Sequence, residues 1–141
     1  MDDDSVSLVA ELHRRQGEMY GGGSIEAVVE LLAEDIVWHV PGTSPIAGEH
    51  RGVPRVIDYF QRRRALANAT MSMRPGHVMS EGDSVAQFVE GSAVVDGERV
   101  SWQTIGVYRI DRVRRRIREV WLVPLDSELF DRIWTRSHEA E

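Results

Sequence analysis

An imidazole at the end of an apolar run is the first group in this sequence that is suited to chemistry. Residues 36–40 have the sequence Ile-Val-Trp-His-Val, which is typical of a β-strand. Pro41 and Gly42 end the run, because proline lacks an N–H for the ladder and glycine tolerates angles that other residues avoid. The imidazole of His39, with an ordinary pKa of about 6.5, suits a general base. Strand alternation puts Trp38 and His39 on opposite faces, and the sequence leaves open which one points inward.

Glu119 is the second candidate, in the middle of the last long strand-like segment. If it points inward, apolar walls formed by Trp102 and Trp121 would raise the pKa of its carboxyl group. A neutral carboxyl beside a neutral imidazole is a workable acid–base pair, so we predict that His39 and Glu119 are catalytic. The alternative is an outward-facing glutamate that pairs with a nearby arginine such as Arg109.

Seven further side chains are predicted to contact a bound substrate: Tyr20, Trp38, Trp102, Gln103, Tyr108, Trp121 and Asp126. Trp102, Tyr108 and Trp121 are expected to form an apolar wall. Asp126 has a simpler alternative, because an aspartate shortly after Pro124 can cap the terminal helix.

No pattern in the sequence indicates a metal or a cofactor. His39 and His50 are eleven residues apart across a loop, and no third ligand is spaced to complete a metal site. The glycine patterns of nucleotide-binding loops and the G-x-S-x-G nucleophile motif are missing. The chain has no cysteine, which excludes disulfides and thiolate chemistry.

Composition fits one globular domain over residues 1–141, with short flexible termini. Apolar residues make up 42% of the chain and charged residues 28%, as in ordinary soluble proteins. No apolar run approaches the roughly 20 residues of a membrane helix, and the acidic N-terminus does not resemble a signal peptide, so we expect a cytoplasmic protein. A net charge of −6 argues against a nucleic-acid partner.

The first half of the chain has helical periodicity. We predict helices over residues 5–20, from Ser24 to about 35, and over 53–67. The third helix ends in three arginines at 62–64, which complement the negative helix end; a basic binding patch is the alternative.

The second half alternates like strands. We predict a weak strand over 71–80 and strong strands over 84–95, 98–111 and 114–123, with Asp96-Gly97 as a hairpin turn. A short helix is expected over 125–136. Helices followed by a meander of strands indicate an α+β fold, with an antiparallel sheet that carries its helices on one face.

Several motifs carry a family resemblance. The most specific are W-H-V-P-G at 38–42, S-P-I-A-G at 44–48 and R-G at 51–52, joined by R-E-V-W at 118–121. Over about residues 8–127 the chain resembles the NTF2-like superfamily, and most closely its SnoaL-like branch of polyketide cyclases and relatives of ketosteroid isomerase. The resemblance implies a curved antiparallel sheet wrapped around three helices, which form a cone (the NTF2-like or cystatin-like roll) that encloses one pocket.

Alignment with ketosteroid isomerases puts His39 where that family has its catalytic aspartate. SnoaL-type cyclases have an acid/base aspartate near the position of Glu119. The oxyanion hole of the isomerases is not reproduced, since its acid falls at Gly106 and its tyrosine near Gln16, with Tyr20 one turn later. These departures argue against a steroid isomerase.

The resemblance therefore implies cofactor-independent acid–base catalysis, a cyclisation, isomerisation or dehydration, on an apolar carbonyl or polycyclic substrate. The alternative is a non-catalytic domain that binds an apolar small molecule. We also predict a homodimer through the outer face of the sheet, because a sheet with two apolar faces needs cover on both. The expected outer-face residues are Ile105, Val107, Val120 and Leu122.

Overall fold

The structure, a computed structural model, describes residues 3–139. The helices in this range are α1 (Asp3–Tyr20), α2 (Ile25–Val29), α3 (Val53–Leu66) and α4 (Ser127–Glu139). The strands are β1 (Leu32–Val40), β2 (Gly48–Arg51), β3 (Ser72–Glu81), β4 (Ser84–Val95), β5 (Glu98–Asp111) and β6 (Arg116–Pro124). The termini expected to be flexible, residues 1–2 and 140–141, lie outside the described residues.

All six strands belong to one curved sheet in the order β2-β1-β6-β5-β4-β3. The neighbouring strands pair antiparallel except β1 and β6, which run parallel. The predicted α+β class with a curved, mainly antiparallel sheet is confirmed. Two elements differ. The second helix ends at Val29 and not near residue 35, because Leu32–Val40 form β1. Residues 48–51 form an edge strand where the sequence indicates only a loop. A strand of four residues is too short to show a reliable alternation.

Two amphipathic helices cover the concave face of the sheet. In α1, the buried stripe contains Val9, Leu12 and Met19, and in α3 it contains Val56 and Phe60. Their apolar positions recur three or four residues apart, which is the spacing that puts side chains on one helical face. None of the helices within residues 3–139 is both long and apolar enough to cross a membrane.

Aromatic rings fill the space between the helices and the sheet. Trp38 packs edge-to-face on Phe60, with 5.2 Å between ring centroids, and Trp102 packs on Trp134 of α4 at 5.3 Å. Such edge-to-face pairs add favourable electrostatics to the burial of large rings. Helix α4 therefore completes the core by contributing its own aromatic side chains.

A β-bulge in β6 changes which residues point inward. Arg109 pairs with Glu119, but the next residue of β5, Ile110, pairs with Ile117, so β6 has one extra residue at this point. Ile117 and Val120 are both fully buried. Strict alternation from Ile117 would have placed Glu119 on the inner face, and the bulge places it on the outer face instead.

Candidate functional site

Trp38 points into the core and His39 points away from it. Trp38 is 2% exposed, whereas the side chain of His39 is 26% exposed. Of these two residues, whose orientation the sequence leaves open, Trp38 is therefore the one that points inward. A large indole fills the aromatic core far better than an imidazole does, because it buries more apolar surface and packs edge-to-face on Phe60.

His39 and Glu119, the two residues predicted to be catalytic, do lie together. Nε2 of His39 is 2.7 Å from a carboxylate oxygen of Glu119, and both side chains are 26% exposed. The imidazole stacks on Trp121 with 5.2 Å between centroids and 5° between planes. Nδ1 lies 3.5 Å from the carboxylate of Glu49 on β2. This cluster is on the outer face of the sheet, and neither His39 nor Glu119 lines the internal cavity.

The cavity lies between the inner face of the sheet and helices α1 and α3, and its volume is about 30 Å³. It is lined by Gln16, Trp38, Arg63, Met71, Met73, Val89, Gly91, Trp102, Thr104, Gly106, Tyr108 and Leu122. This volume is enough for about two water molecules. A larger ligand must therefore displace some of the aromatic side chains that close the cavity.

Glycines on two strands make room for the rings of this wall. A Cβ atom on Gly106 would overlap the phenol of Tyr108, and one on Gly91 would overlap the indole of Trp102. These two rings therefore lie flat over neighbouring backbone. The isomerase-like acid position at Gly106 is thus occupied in space by the hydroxyl end of Tyr108.

A buried pair of polar side chains stands at this wall. The hydroxyl group of Tyr108 is 2.7 Å from Nε2 of His13, and the two residues are 3% and 4% exposed. Burial lowers the pKa of His13 to about 4, an effect that the side chain of Gln87 offsets only in part. Burial also raises the pKa of Tyr108. Both groups are consequently neutral near pH 7.

Arg63 is a buried cation in the same wall. It is 5% exposed, and its Nη1 donates a hydrogen bond of 2.8 Å to the hydroxyl of Tyr59. Its Nε has no hydrogen-bond partner among the described residues. Five aromatic rings lie 4.9–5.9 Å from its guanidinium carbon: Tyr20, Tyr59, Trp102, Phe130 and Trp134.

The remaining predicted substrate-binding residues fall in different places. Trp102 and Tyr108 line the cavity, as does Trp38. The prediction that Trp121 belongs to the cavity wall is wrong, because the bulge turns it to the outer face, where it stacks on His39. Tyr20 is fully buried beside Arg63 but does not line the cavity.

Two polar residues of that prediction lie away from the cavity. Gln103 is exposed, since it alternates with the inward-facing Trp102 and Thr104 along β5. Asp126 accepts a 3.0 Å hydrogen bond from the backbone N–H of Leu129. It therefore caps α4, as the alternative assignment has it.

Three polar residues of the interior are not among the predicted site residues: His13, Arg63 and Gln16. At the sequence level Gln16 stands out only because the oxyanion-hole tyrosine of the isomerases falls near its position. A signal for all three is present in the sequence. Arg63 lies four residues after Tyr59 and three after Phe60 on the buried face of α3. His13 and Gln16 occupy the same stripe of α1 as the apolar core residues. A polar residue at an apolar position of a helical stripe marks a buried polar group.

Within residues 3–139 no group of three histidine, cysteine, aspartate or glutamate side chains is arranged to hold a metal ion. The polar groups that line the cavity are hydrogen-bond donors and one cation: the phenol of Tyr108, the guanidinium of Arg63, and the side chains of Gln16 and Thr104.

Comparisons with known proteins agree with this architecture. Bal32a, from a soil-derived mobile gene cassette, is 25% identical with a TM-score of 0.79, over 92% of this chain and 98% of that chain. A protein of unknown function with a cystatin-like fold from Xanthomonas campestris is 24% identical with a TM-score of 0.83, over 94% and 98%.

SalBIII, an epoxide hydrolase/cyclase-like enzyme with a role in pyran ring formation in the polyether salinomycin, is 19% identical with a TM-score of 0.72, over 87% and 92%. No curated protein matches the chain. Residues 13–120 match the SnoaL-like domain, which is most of the chain. By this match and by its NTF2-like fold, the chain belongs to the family of SnoaL-like domain proteins.

Proposed function

We propose that this protein is a cofactor-independent enzyme that catalyses proton-transfer chemistry on an apolar carbonyl compound bound in the cone. Cyclisation, isomerisation and dehydration all share the step that the cavity is suited to, which is the formation of an enolate or a related oxyanion. The observation that carries the proposal is the buried pair of Tyr108 and His13, with its hydroxyl in the cavity wall.

The pair acts by donating a hydrogen bond. When Nε2–H of neutral His13 donates to the oxygen of Tyr108, the phenol proton is free to point into the cavity. It can then donate to a substrate carbonyl oxygen, on which negative charge develops when a water molecule or hydroxide ion that enters with the substrate takes the proton from the neighbouring carbon. His13 stabilises the charge that develops on the phenol oxygen. A preorganised donor of this kind, shielded from water, contributes about a hundred- to a thousandfold to the rate.

A substrate requires more room than the cavity has at rest. The ring of Trp134 on α4 packs on Trp102 and lies over Arg63, both of which line the cavity, so we propose that α4 moves outward when a substrate enters. SalBIII supports the general idea, since an enzyme described as epoxide hydrolase/cyclase-like has the same fold. The non-catalytic alternative, a domain that only binds an apolar small molecule in this cavity, differs in that no bond is made or broken.

The catalytic role of His39 and Glu119 stays a prediction. Their geometry suits proton transfer, since Nε2 and the carboxylate are in hydrogen-bond contact. Their place on the outer face separates them from the cavity, so a reaction there would use a different site on the protein.

Hydrogen–deuterium exchange on carbon tests the proposal even while the product is unidentified. Cyclic ketones and enones are incubated with the protein in D₂O, and deuterium incorporation next to the carbonyl is followed by NMR. We expect exchange above the buffer rate with at least one of these compounds. Tyr108→Phe should slow it by about a hundred- to a thousandfold, because the hydroxyl donor is lost while the ring remains.

His39→Ala is the matched control on the outer face, and we expect it to retain the exchange rate of the wild type. Loss of exchange in His39→Ala with an unaffected Tyr108→Phe would overturn the cavity proposal in favour of the outer cluster. Binding of these compounds without exchange in the wild type would support the non-catalytic alternative.

A further inference from the structure

The interior of the cone is rich in hydrogen-bond donors and poor in negatively charged groups that could accept from them. Buried donors without partners among the described residues include Nε of Arg63, Nε1 of Trp38 and of Trp134, and the hydroxyl of Tyr20. The buried polar and charged residues are Ser5, His13, Gln16, Ser44, His50, Arg63 and Thr104. Among residues 4–135, whose burial the structure describes, that set contains no aspartate or glutamate.

A buried guanidinium without a carboxylate is energetically unusual. A buried charge is costly unless it is paired or otherwise neutralised, and removal of a cation from water is among the largest penalties in folding. The π faces of the surrounding rings offset part of this penalty by cation–π attraction. They do not supply a negative charge. An anion bound beside Arg63 would complete the compensation.

The edge of Arg63 that carries the unpartnered Nε fits one kind of anion. Nη1 is engaged with the hydroxyl of Tyr59, whereas Nε has no partner among the described residues. The edge that Nε shares with Nη2 presents two parallel N–H groups, the arrangement that a carboxylate accepts in a bidentate manner. Arg63 and Tyr108 both line the cavity, so a carboxylate at the one and a carbonyl at the other would belong to the same small molecule.

We propose that the ligand of this cone is an organic carboxylate with an apolar body, an oxo acid in the case of a substrate, and that Arg63 is its counter-ion. The aromatic rings around the guanidinium contact the apolar body, and the carboxylate takes the edge of Arg63 that carries the unpartnered Nε. This inference rests on the proposed function, since it names the chemical class of ligand for the same cavity. It concerns binding, however, and is tested without any turnover.

Benzoate and cyclohexanecarboxylate serve as probes, with benzamide and cyclohexanecarboxamide as neutral partners of matched shape. Binding to the full-length protein is measured by isothermal titration calorimetry. We expect the carboxylates to bind more tightly than the amides. Arg63→Met should weaken carboxylate binding by about ten- to a hundredfold, because charge-assisted hydrogen bonds are lost, and leave amide binding unchanged.

Arg62→Met is the control, since Arg62 is an exposed neighbour on α3 that contacts the carbonyl of Pro45 and the carboxylate of Asp58. It should bind carboxylates like the wild type. A second readout is the stability of the ligand-free variants. Replacement of an unpaired buried cation by an apolar residue is neutral or stabilising, so Arg63→Met should melt no lower than the wild type.

Two results would overturn the inference. One is equal binding of carboxylates and amides by the wild type, or no carboxylate binding at millimolar concentration. The other is an Arg63→Met variant that folds and binds carboxylates as tightly as the wild type. If Arg63→Met does not fold, Arg63→Lys is measured instead, because it keeps the positive charge but lacks the two parallel N–H groups. The Arg63→Lys variant should then fold and still lose most of the preference for carboxylates over amides.

A failure of the carboxylate-binding test can be distinguished from a failure of the proposed function. Carboxylate binding that depends on Arg63, without any exchange of carbon-bound protons, would support the ligand class and refute the catalytic role. Exchange that depends on Tyr108 but not on Arg63, with no preference for carboxylates, would support the reaction and refute the ligand class.

Discussion

His13 is a histidine that the fold holds in its neutral form. Its imidazole is 4% exposed and hydrogen-bonded to Tyr108 across 95 residues of sequence. Burial disfavours the charged form, so the pKa of His13 is lowered to about 4, well below its ordinary value. In the unfolded chain His13 has its ordinary pKa. Between about pH 6.5 and pH 4 it is therefore protonated in the unfolded chain and neutral in the folded chain.

The first prediction follows from the sign of this shift. The free energy of unfolding should fall as the pH falls through that window, and the contribution of His13 is about 2 kcal/mol at pH 5 relative to pH 7. His13→Gln should make the stability of the protein less dependent on pH, because glutamine does not titrate. Urea unfolding at pH 5 and pH 7 gives both values.

His77→Gln is the control for this measurement, since His77 is exposed on β3. It should leave the difference between the two pH values unchanged. His50 is a second buried histidine with a pKa lowered by burial, so a smaller pH dependence remains in His13→Gln. An unaltered pH dependence in His13→Gln would show that the imidazole titrates normally in the folded protein.

Arg63 lies on the helix that the sequence predicts, but its side chain lies in a different environment from the one expected. The sequence pattern assigns the three arginines at 62–64 to the negative end of the helix, where this charge is usually found. In the structure Arg63 is buried, whereas Arg62 is exposed. Neighbouring positions on a helix point about 100° apart, so a run of identical residues can have members in quite different surroundings.

At the scale of the elements, α4 is attached by one carboxylate as well as by its aromatic face. Asp131 accepts 2.8 Å hydrogen bonds from the backbone N–H groups of Thr43 and Ser44, and one of 2.7 Å from the hydroxyl of Thr43. These contacts, led by the side chain of Thr43, lower the pKa of Asp131. The loop after β1 is thereby tied to the helix that closes the aromatic core.

The second prediction concerns this attachment. Asp131→Ala should loosen α4 and lower the free energy of unfolding by about 1–2 kcal/mol, since three hydrogen bonds to a charged group are lost at a partly exposed site. Hydrogen–deuterium exchange should accelerate at the amides of Thr43 and Ser44 and along α4. The amides of β5 should keep their protection.

Asp126→Ala is the matched control, because Asp126 caps the same helix without contacting the loop. It should cost about 1 kcal/mol of stability, as the loss of an N-cap does, and leave the exchange of Thr43 and Ser44 unchanged. If both variants accelerate exchange at Thr43 and Ser44 equally, the loop depends on the stability of α4 as a whole and not on Asp131.

At the scale of the whole molecule, the outer face of the sheet has an apolar band. Phe88, Ile105 and Val123 are direct neighbours on β4, β5 and β6, and Phe88 and Val123 are 43% and 47% exposed. Ile105 and Val107 lie on this face, as expected from the sequence. The expectation was wrong for Val120 and Leu122, since the bulge in β6 turns both inward: Val120 is fully buried and Leu122 lines the cavity.

The third prediction is a homodimer in which this band packs against a second copy. Sedimentation equilibrium at micromolar concentration should give twice the mass of one chain. Phe88→Glu should give a monomer, because a charge in the centre of an apolar interface cannot be solvated. Val113→Glu, at a turn where Val113 is 95% exposed, should remain dimeric. A wild type that sediments as a monomer refutes the prediction.

The sequence by itself determined the fold class and most of the elements. The strands at 84–95 and 98–111 have the predicted bounds, and the Asp96-Gly97 turn between them has the two positive φ angles, 57° and 79°, that such a hairpin needs. Turn chemistry and periodicity depend on neighbours a few residues apart. These are the interactions that a pattern in one sequence records directly.

Only the tertiary structure decided which residues meet. The parallel pairing of β1 with β6 joins His39 to Glu119 across 80 residues, and the bulge beside Glu119 puts that pair outside the cone. Burial of Arg63 likewise depends on rings from four different elements. Pairing registers are set by the packing of distant segments, and they leave no local mark in the chain. The helical stripe of α3 marks Arg63 as buried, but the rings that surround it are determined by the same long-range packing.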